Sequence, residues 1–286
     1  MNLENRENLM KKKKKEYEEA RINYDILLEN PQKNMNQSEI NTYKQINVDI
    51  PRTMPEYRLF SYTIIRKMMM RILFTWSMRH PASGYVQGFN DLCTPFIIIF
   101  INKFYNFDLD KLDIEENELL SLGDEILFDI EADSYWCFTK MMDRIQNNYT
   151  NNQPGITIMM KRMEEIITLV DKDLTKFLDN NDVKFMQFSF RWMNCFLMRE
   201  FSIKLIVRLF DSYFSEDNAF NNFHLFVCAG LLLNFSEKIK KMNDFQEIIM
   251  FLQNLPVDKW TISEIDILLA KAYQISAVYG KLLNIK

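Results

Sequence analysis

Glycine and proline are scarce. The 286 residues include 6 glycines and 7 prolines, where average soluble composition would supply roughly 34 of the two together. β-Sandwiches, barrels and Rossmann-type folds spend glycine on tight turns. The deficit argues against them and favours helices joined at few tight corners. Cysteine is sparse too: Cys93, Cys137, Cys195 and Cys228 lie far apart with no CxxC pair. Neither a zinc ribbon nor a disulfide framework is signalled, and the four read as small buried apolar residues in a reducing compartment. His80 and His224 are the only histidines, too few for a histidine-rich metal site.

Charge of one sign is also missing. Lys and Arg number 35 against 39 Asp and Glu, a net charge of −4, so there is no basic field for nucleic acid. The most apolar stretch, Leu92 to Ile101, is far short of the ~20 residues a bilayer needs and contains Pro95, so it reads as a buried helix. Met1 to Lys15 is polar and lysine-rich, without the apolar core of a signal peptide. The chain reads as cytoplasmic, or as peripheral to a membrane through a partner. The GxxxxGK[ST] and GxGxxG phosphate loops, the GxSxG elbow and the HExxH helix are all absent, so the chain should not bind a nucleotide by itself. Nothing in the sequence supports a Cys93–His80 catalytic pair.

What is present is helix after helix. With 23 Phe and 18 Met, the chain has the composition of a large helical core. Apolar spacing predicts helices over Glu7 to Glu29, from Ser38 as cap to Val48, and from Tyr57 to Arg79. The lysine run Lys11 to Lys15 reads as a solvated face, with contact to anionic lipid as the sharper alternative. Asn30 to Gln37 reads as a polar loop. Asp49 to Pro55, DIPRTMP, reads as a stiff exposed loop, because two prolines forbid a continuing helix.

HPASGY breaks the chain before a helix running from Gln87 or Gly88 to Phe104. Asp108 to Asp133 is acidic and reads as a long loop with a short helix inside, followed by a helix from Ser134 to Asn148. A turn at Asn147 to Gly155 separates a first lobe, about 11–150, from a second, about 151–286. Helices are predicted there over Ile156 to Asp171, Leu174 to Leu178, Val183 to Phe201, Ile203 to Phe214, Asn221 to Lys240, Asp244 to Leu255 and Ile262 to Leu283. Strand-like alternation of useful length is absent, so the fold class is all-α with two lobes.

Two polar residues stand where a helical scaffold does not need them. Arg52 lies between Pro51 and Thr53, three residues after Asp49. Gln87 lies in SGYVQGFND between Gly84 and Gly88, two of the chain's 6 glycines. Glycines of this kind let a backbone approach a partner closely or adopt positive φ. The plainer reading is an exposed arginine and a glycine-containing helix entry.

INVDIPR, Ile46 to Arg52, followed by YVQG, Tyr85 to Gly88, resembles the two signature motifs of TBC domains, the GTPase-activating proteins of Rab GTPases. In the family's IPxDxxR pattern, Ile46, Asp49 and Arg52 match. Asn47 stands where proline is usual, and a proline occurs instead at Pro51. The YxQ pattern is met by Tyr85 and Gln87. RILFTWSMRHPASGYVQGFNDLCTPF, EADSYWCFTKMMDRIQNNYT, QPGI, QFSFRWMNCFLMREF, RLFDSY and FLQNLP extend the likeness, in particular to the branch of the yeast Golgi Rab GAP and its animal relatives. It covers roughly Lys11 to the C-terminus, so 11–286 reads as the TBC domain and 1–10 as an extension. The family's opening helix has no counterpart before Lys11.

The resemblance implies a GTPase activator, contributing catalytic residues in trans rather than acting as an enzyme alone. It assigns an arginine finger to Arg52 and a glutamine finger to Gln87, and makes Asp49, Tyr85 and Gly88 supporting residues. Asn90 and Asp91 either orient the glutamine loop or contact the partner. The implied partner is a Rab small GTPase in its GTP form. GTP and Mg²⁺ come with that partner, so no cofactor or metal is expected on this chain. Membrane association, at Golgi or vesicle membranes, would be indirect, and a monomer is favoured. The alternatives are a catalytically weak TBC-like scaffold and an α-solenoid interaction protein without a GTPase partner. Trp76, Trp136 and Trp192 read as core. Arg191, Arg199 and Arg208 read as internal ion-pair partners of acids such as Glu200 and Asp211.

Overall fold

Helix succeeds helix in the computed structural model, which describes residues 3–29, 31–150 and 152–283. No strand occurs among them, so the all-α reading holds. The chain forms two units, Met1–Asp143 and Arg144–Lys286.

The first unit opens with α1, Leu3–Glu29, which begins four residues before the predicted start. It buries Tyr17 and Tyr24, spaced two helical turns apart on one face. The lysine run does more than face solvent. Lys14 pairs with Asp129 at 2.7 Å, and Lys13 lies over the Trp136 ring at 3.8 Å. Trp136 is half-buried, and its indole N–H donates to the Lys13 carbonyl at 2.8 Å. Part of the expected loop is helical: α2 spans Pro31–Asn34. α3, Gln37–Asp49, is capped by Asn36 rather than Ser38. Asn36 accepts from the Glu39 N–H, and Glu39 accepts from the Asn36 N–H. This capping box satisfies two donors that a helix start otherwise leaves unpaired.

The predicted helix over Tyr57 to Arg79 is in two pieces. A 3-10 turn, Arg58–Ser61, precedes α4, Thr63–Arg79, and Tyr62 between them is extended. Its buried hydroxyl donates to the Ile114 carbonyl at 2.9 Å. α5, Phe89–Tyr105, carries Pro95 inside it. Proline cannot donate to the carbonyl four residues back. That carbonyl belongs to Asp91, and the Thr94 hydroxyl donates to it at 2.8 Å.

The acidic segment is more helical than its composition suggests. α6 covers Glu116–Ser121 and α7 covers Asp124–Ile145, starting ten residues ahead of the predicted Ser134. Leu127, Ile130 and the acidic Glu131 are buried along it. Glu131 explains why an acidic run can fold inward. Arg71 grips its carboxylate with two hydrogen bonds, 2.7 and 2.5 Å, and the Tyr17 hydroxyl donates to it at 2.7 Å. One buried carboxylate thereby ties α1, α4 and α7 together. Trp76, on α4, is buried edge-on to Phe89 and Phe138, with ring centroids at 5.4 and 5.7 Å.

In the second unit, α8 is Pro154–Val170, α9 Lys172–Asn180, α10 Met186–Asn194, α11 Ile203–Ser215, α12 Phe223–Asn234, α13 Ser236–Ile239, α14 Phe245–Gln253 and α15 Ile262–Tyr279. Two predicted helices are broken by turns, and α14 and α15 end ahead of the predicted Leu255 and Leu283. Beyond Asn194 the chain turns, with buried Phe196 and Leu197 at φ 48° and 63°, so Val183 to Phe201 is not one helix. Phe235 separates α12 from α13. α12 is buried on almost every side and packs on α8 and α15, as a uniformly apolar helix must.

Several polar groups in this unit are paired. His224 donates from Nε2 to the Trp192 carbonyl at 3.1 Å and accepts on Nδ1 from the Tyr213 hydroxyl at 2.8 Å. Arg191 pairs with Glu200 as expected, at 2.6 and 2.8 Å. Arg208 pairs with Asp266 at 2.7 Å rather than with Asp211.

Candidate functional site

α3 ends at Asp49, and a 3-10 turn, Ile50–Arg52, follows it. Pro51 fits here because early helical positions do not use its missing N–H. The segment is not the exposed loop its prolines suggest. Asp49, Ile50, Thr53 and Met54 are buried, while Pro51 and Arg52 are exposed. Arg52 makes no side-chain hydrogen bond or ion pair among the described residues. The turn therefore has a buried root and an arginine at its tip.

Gln87 belongs to the turn before α5 rather than to the helix, and its side chain is exposed. Gly88 caps α5 at φ 108°, a conformation that a residue with a Cβ resists. The Gly88 carbonyl accepts from the N–H groups of Asp91 and Leu92, both at 3.1 Å. The glycine thus reverses the chain directly after the glutamine and starts the helix at once.

Beneath these two turns lies a buried polar network. Tyr85 donates its hydroxyl to Asp49 Oδ2 at 2.9 Å. Asn90, 3% exposed, lies in the first turn of α5. Its Oδ1 accepts from the Gly88 N–H at 3.1 Å. An N–H can only donate, so the amide must face Gly88 with its oxygen and present its nitrogen the other way. Nδ2 then donates to Thr53 Oγ1 at 3.0 Å and to Asp91 Oδ1 at 3.2 Å. The Thr53 hydroxyl donates onward to the Asp49 carbonyl at 3.2 Å. Asp49, Thr53, Tyr85 and Asn90 therefore form one connected set.

Burial is the largest influence on Tyr85, and the nearby Asp49 charge adds to it. Both push the phenol well above its ordinary range, so it stays a donor. Asp91 is buried in the first turn of α5, where a negative charge suits the positive end of the helix.

The structure brings Asp49, Tyr85, Gly88, Asn90 and Asp91 together under the two turns that carry Arg52 and Gln87. Asn90 contacts the glutamine turn through the Gly88 N–H and the arginine turn through the Thr53 hydroxyl. Sequence reading missed Thr53. Its signal was position: it directly follows Arg52, and a hydroxyl there can face inward only if the loop is rooted in the fold. Cys93 and His80 have other partners. Burial pushes the Cys93 thiol up and it donates to the Asn90 carbonyl, while His80 stacks on Trp76 and contacts its carbonyl at 2.8 Å. Among the described residues, no group of three or more His, Cys, Asp or Glu side chains is placed to hold a metal ion.

Residues 2–240 match the Rab-GTPase-TBC domain family. The mouse protein TBC1 domain family member 22A is 44% identical over 239 residues, covering 84% of this chain and 45% of its own length. GTPase-activating protein gyp1 of Schizosaccharomyces pombe is 41% identical over 282 residues, covering 98% of this chain and 53% of its own length. Among solved structures, the Ypt/Rab-GAP domain of Gyp1p superposes with a TM-score of 0.86 at 39% identity, covering 96% of this chain and 82% of that one. The chain spans about half the length of the full-length relatives it matches.

Proposed function

The chain belongs to the Rab-GTPase-TBC domain family, and from that premise we propose that it accelerates GTP hydrolysis on a Rab small GTPase by supplying Arg52 and Gln87 in trans. Rapid hydrolysis needs two things. The attacking water must be held in line with the γ-phosphate, and charge developing on the phosphate oxygens must be stabilised. The Arg52 guanidinium is a planar fork that donates several hydrogen bonds to such oxygens. The Gln87 carboxamide both donates and accepts, which suits it to orient a water.

The observation that carries this reading is the pairing of two exposed tips with one buried network. Arg52 is exposed and unpaired among the described residues, so its charge is available to a partner. Asp49, Thr53, Tyr85 and Asn90 hold its root next to the turn that bears Gln87. Asp49 acts as an anchor rather than a base.

The activity asks for no cofactor or metal on this chain, because GTP and Mg²⁺ arrive with the GTPase. Association with Golgi or vesicle membranes likewise comes through the Rab. No helix among the described residues is long and apolar enough to cross a membrane. The test is single-turnover GTP hydrolysis by a panel of Rab GTPases with and without the protein. Stimulation of at least one Rab supports the reading, and stimulation of none overturns it.

A further inference from the structure

The proposed activity needs two tips presented together, and the two tips come from turns about 35 residues apart in sequence. Neither turn is held by a regular ladder of backbone hydrogen bonds to the other. Ile50 and Pro51 line a cavity of about 510 Å³, so one flank of the arginine turn is open rather than close-packed.

The Asn90 amide joins the two. On its oxygen side it holds the Gly88 N–H, one residue from Gln87. On its nitrogen side it holds the Thr53 hydroxyl, one residue from Arg52. Thr53, 1% exposed, relays the contact to the Asp49 carbonyl. Every donor in this relay has one direction. Asn90 Nδ2 donates to Thr53 Oγ1, and Thr53 Oγ1 donates to Asp49 O, so a methyl in place of the hydroxyl breaks both links at once. Tyr85 supplies a second strut from the glutamine turn, its hydroxyl reaching Asp49 Oδ2 at 2.9 Å and Asn90 Oδ1 at 3.3 Å.

From this geometry we infer that Thr53 and Asn90 are positioning residues that clamp the Arg52 turn to the Gln87 turn through one shared side-chain amide. Neither residue touches the GTPase phosphates in this scheme; each acts through its neighbour. The inference rests on the activity proposed above for its catalytic consequence, and on this chain alone for the clamp.

The test uses the full chain and four variants: Thr53→Val, Thr53→Ser, Asn90→Ala and the Thr53→Val/Asn90→Ala double. Val keeps the shape of Thr53 and removes its hydroxyl, while Ser keeps the hydroxyl. The first readout is amide hydrogen exchange, which needs no GTPase. The clamp predicts reciprocal effects: Thr53→Val speeds exchange in the peptide spanning 84–91, and Asn90→Ala speeds it in the peptide spanning 49–57. Exchange that quickens only in the mutated turn overturns the clamp.

The second readout is GTP hydrolysis on the Rab that responds best to the wild-type protein. A misplaced finger costs the transition state and spares docking. Thr53→Val should therefore lower the maximal rate roughly tenfold to a hundredfold while the half-saturating protein concentration moves less than about twofold. Thr53→Ser should recover most of the rate. The double variant should cost no more than the worse single one, because both break the same relay. A Thr53→Val protein that stimulates as well as wild type overturns the positioning role. If the wild-type protein stimulates no Rab, the proposed activity fails, and the exchange experiment still decides the clamp.

Discussion

The Tyr85 hydroxyl lies 2.9 Å from Asp49 Oδ2, joining the tyrosine and the acid of the two signature motifs inside the protein. The Tyr85 ring also packs edge-on against Phe89, with centroids at 5.9 Å. Tyr85→Phe keeps that packing and deletes the hydroxyl's contacts to the buried Asp49 carboxylate and to Asn90 Oδ1, at 2.9 and 3.3 Å. The expected cost is about 1–3 kcal/mol in chemical denaturation, with reduced stimulation of the GTPase. An unchanged denaturation midpoint would show that Asp49 needs no partner here.

Arg52 is expected to matter for rate and not for stability. Its side chain is exposed and without partners among the described residues, so Arg52→Ala should melt with the wild type. An arginine finger is worth roughly 10³ to 10⁵ in rate, or about 4–7 kcal/mol of barrier. Arg52→Ala should lose most stimulation. Arg52→Lys should largely fail as well, since an ammonium keeps the charge and lacks the fork. Single-turnover hydrolysis beside thermal melting separates the two effects.

Much of the site was legible because the motif residues are polar in places a helical scaffold leaves apolar. Arg52 beside Pro51, and Gln87 beside Gly88, stand out on that ground alone. Thr53 did not, because prolines on either side of it suggested exposure. What turns it inward is Asn90, more than 30 residues away, and no local pattern reveals that contact. The fold shows the same division. Helical periodicity identified the class, and it missed the start of α7 because a long-range partner, Arg71, makes Glu131 a core residue. It also merged the two helices that Tyr62 separates, because side-chain spacing does not register one extended residue. Asn36 was overlooked as a cap for the nearer Ser38, although Glu39 three residues on marks the capping box.

The second unit should carry an acid sensitivity of its own. Burial pulls the His224 pKa down from 6.5 to about 3. The unfolded chain then binds more protons between those values, so stability is full above about pH 6.5 and falls as pH drops toward 3. The slope is about 1.4 kcal/mol per pH unit from this group. Between pH 6.5 and pH 5 that amounts to about 2 kcal/mol. His224→Gln retains a donor and an acceptor without titrating. Melting measured from pH 8 to pH 5 should show a shallower decline for H224Q than for wild type, whatever their difference at pH 8.

Gly155 has no room for a side chain. A Cβ built there lies 2.6 Å from the Asn148 Cα and clashes with the Asn148 carboxamide. Asn148 is itself held by Asn221, which also donates to the Arg144 carbonyl. Gly155→Ala must displace this backbone, so a destabilisation of about 1–3 kcal/mol is expected by urea denaturation. A neutral result would mean that the start of α8 can shift freely.

In the mechanism proposed for this chain, Gln87 is a water-orienting group brought along with the arginine. In Ras-type activation the GTPase supplies the glutamine. The most direct measurement pairs two GTPases with two activators: a responsive Rab and its switch-glutamine-to-leucine form, each with the wild-type protein and with Gln87→Ala. Losing the water-orienting group should lower the rate far more than it weakens complex formation. The leucine form should still be stimulated by the wild-type protein, and Gln87→Ala should stimulate neither GTPase appreciably. If the leucine form is not stimulated at all while Gln87→Ala activates the unmodified Rab normally, the glutamine belongs to the GTPase and the account of Gln87 is wrong.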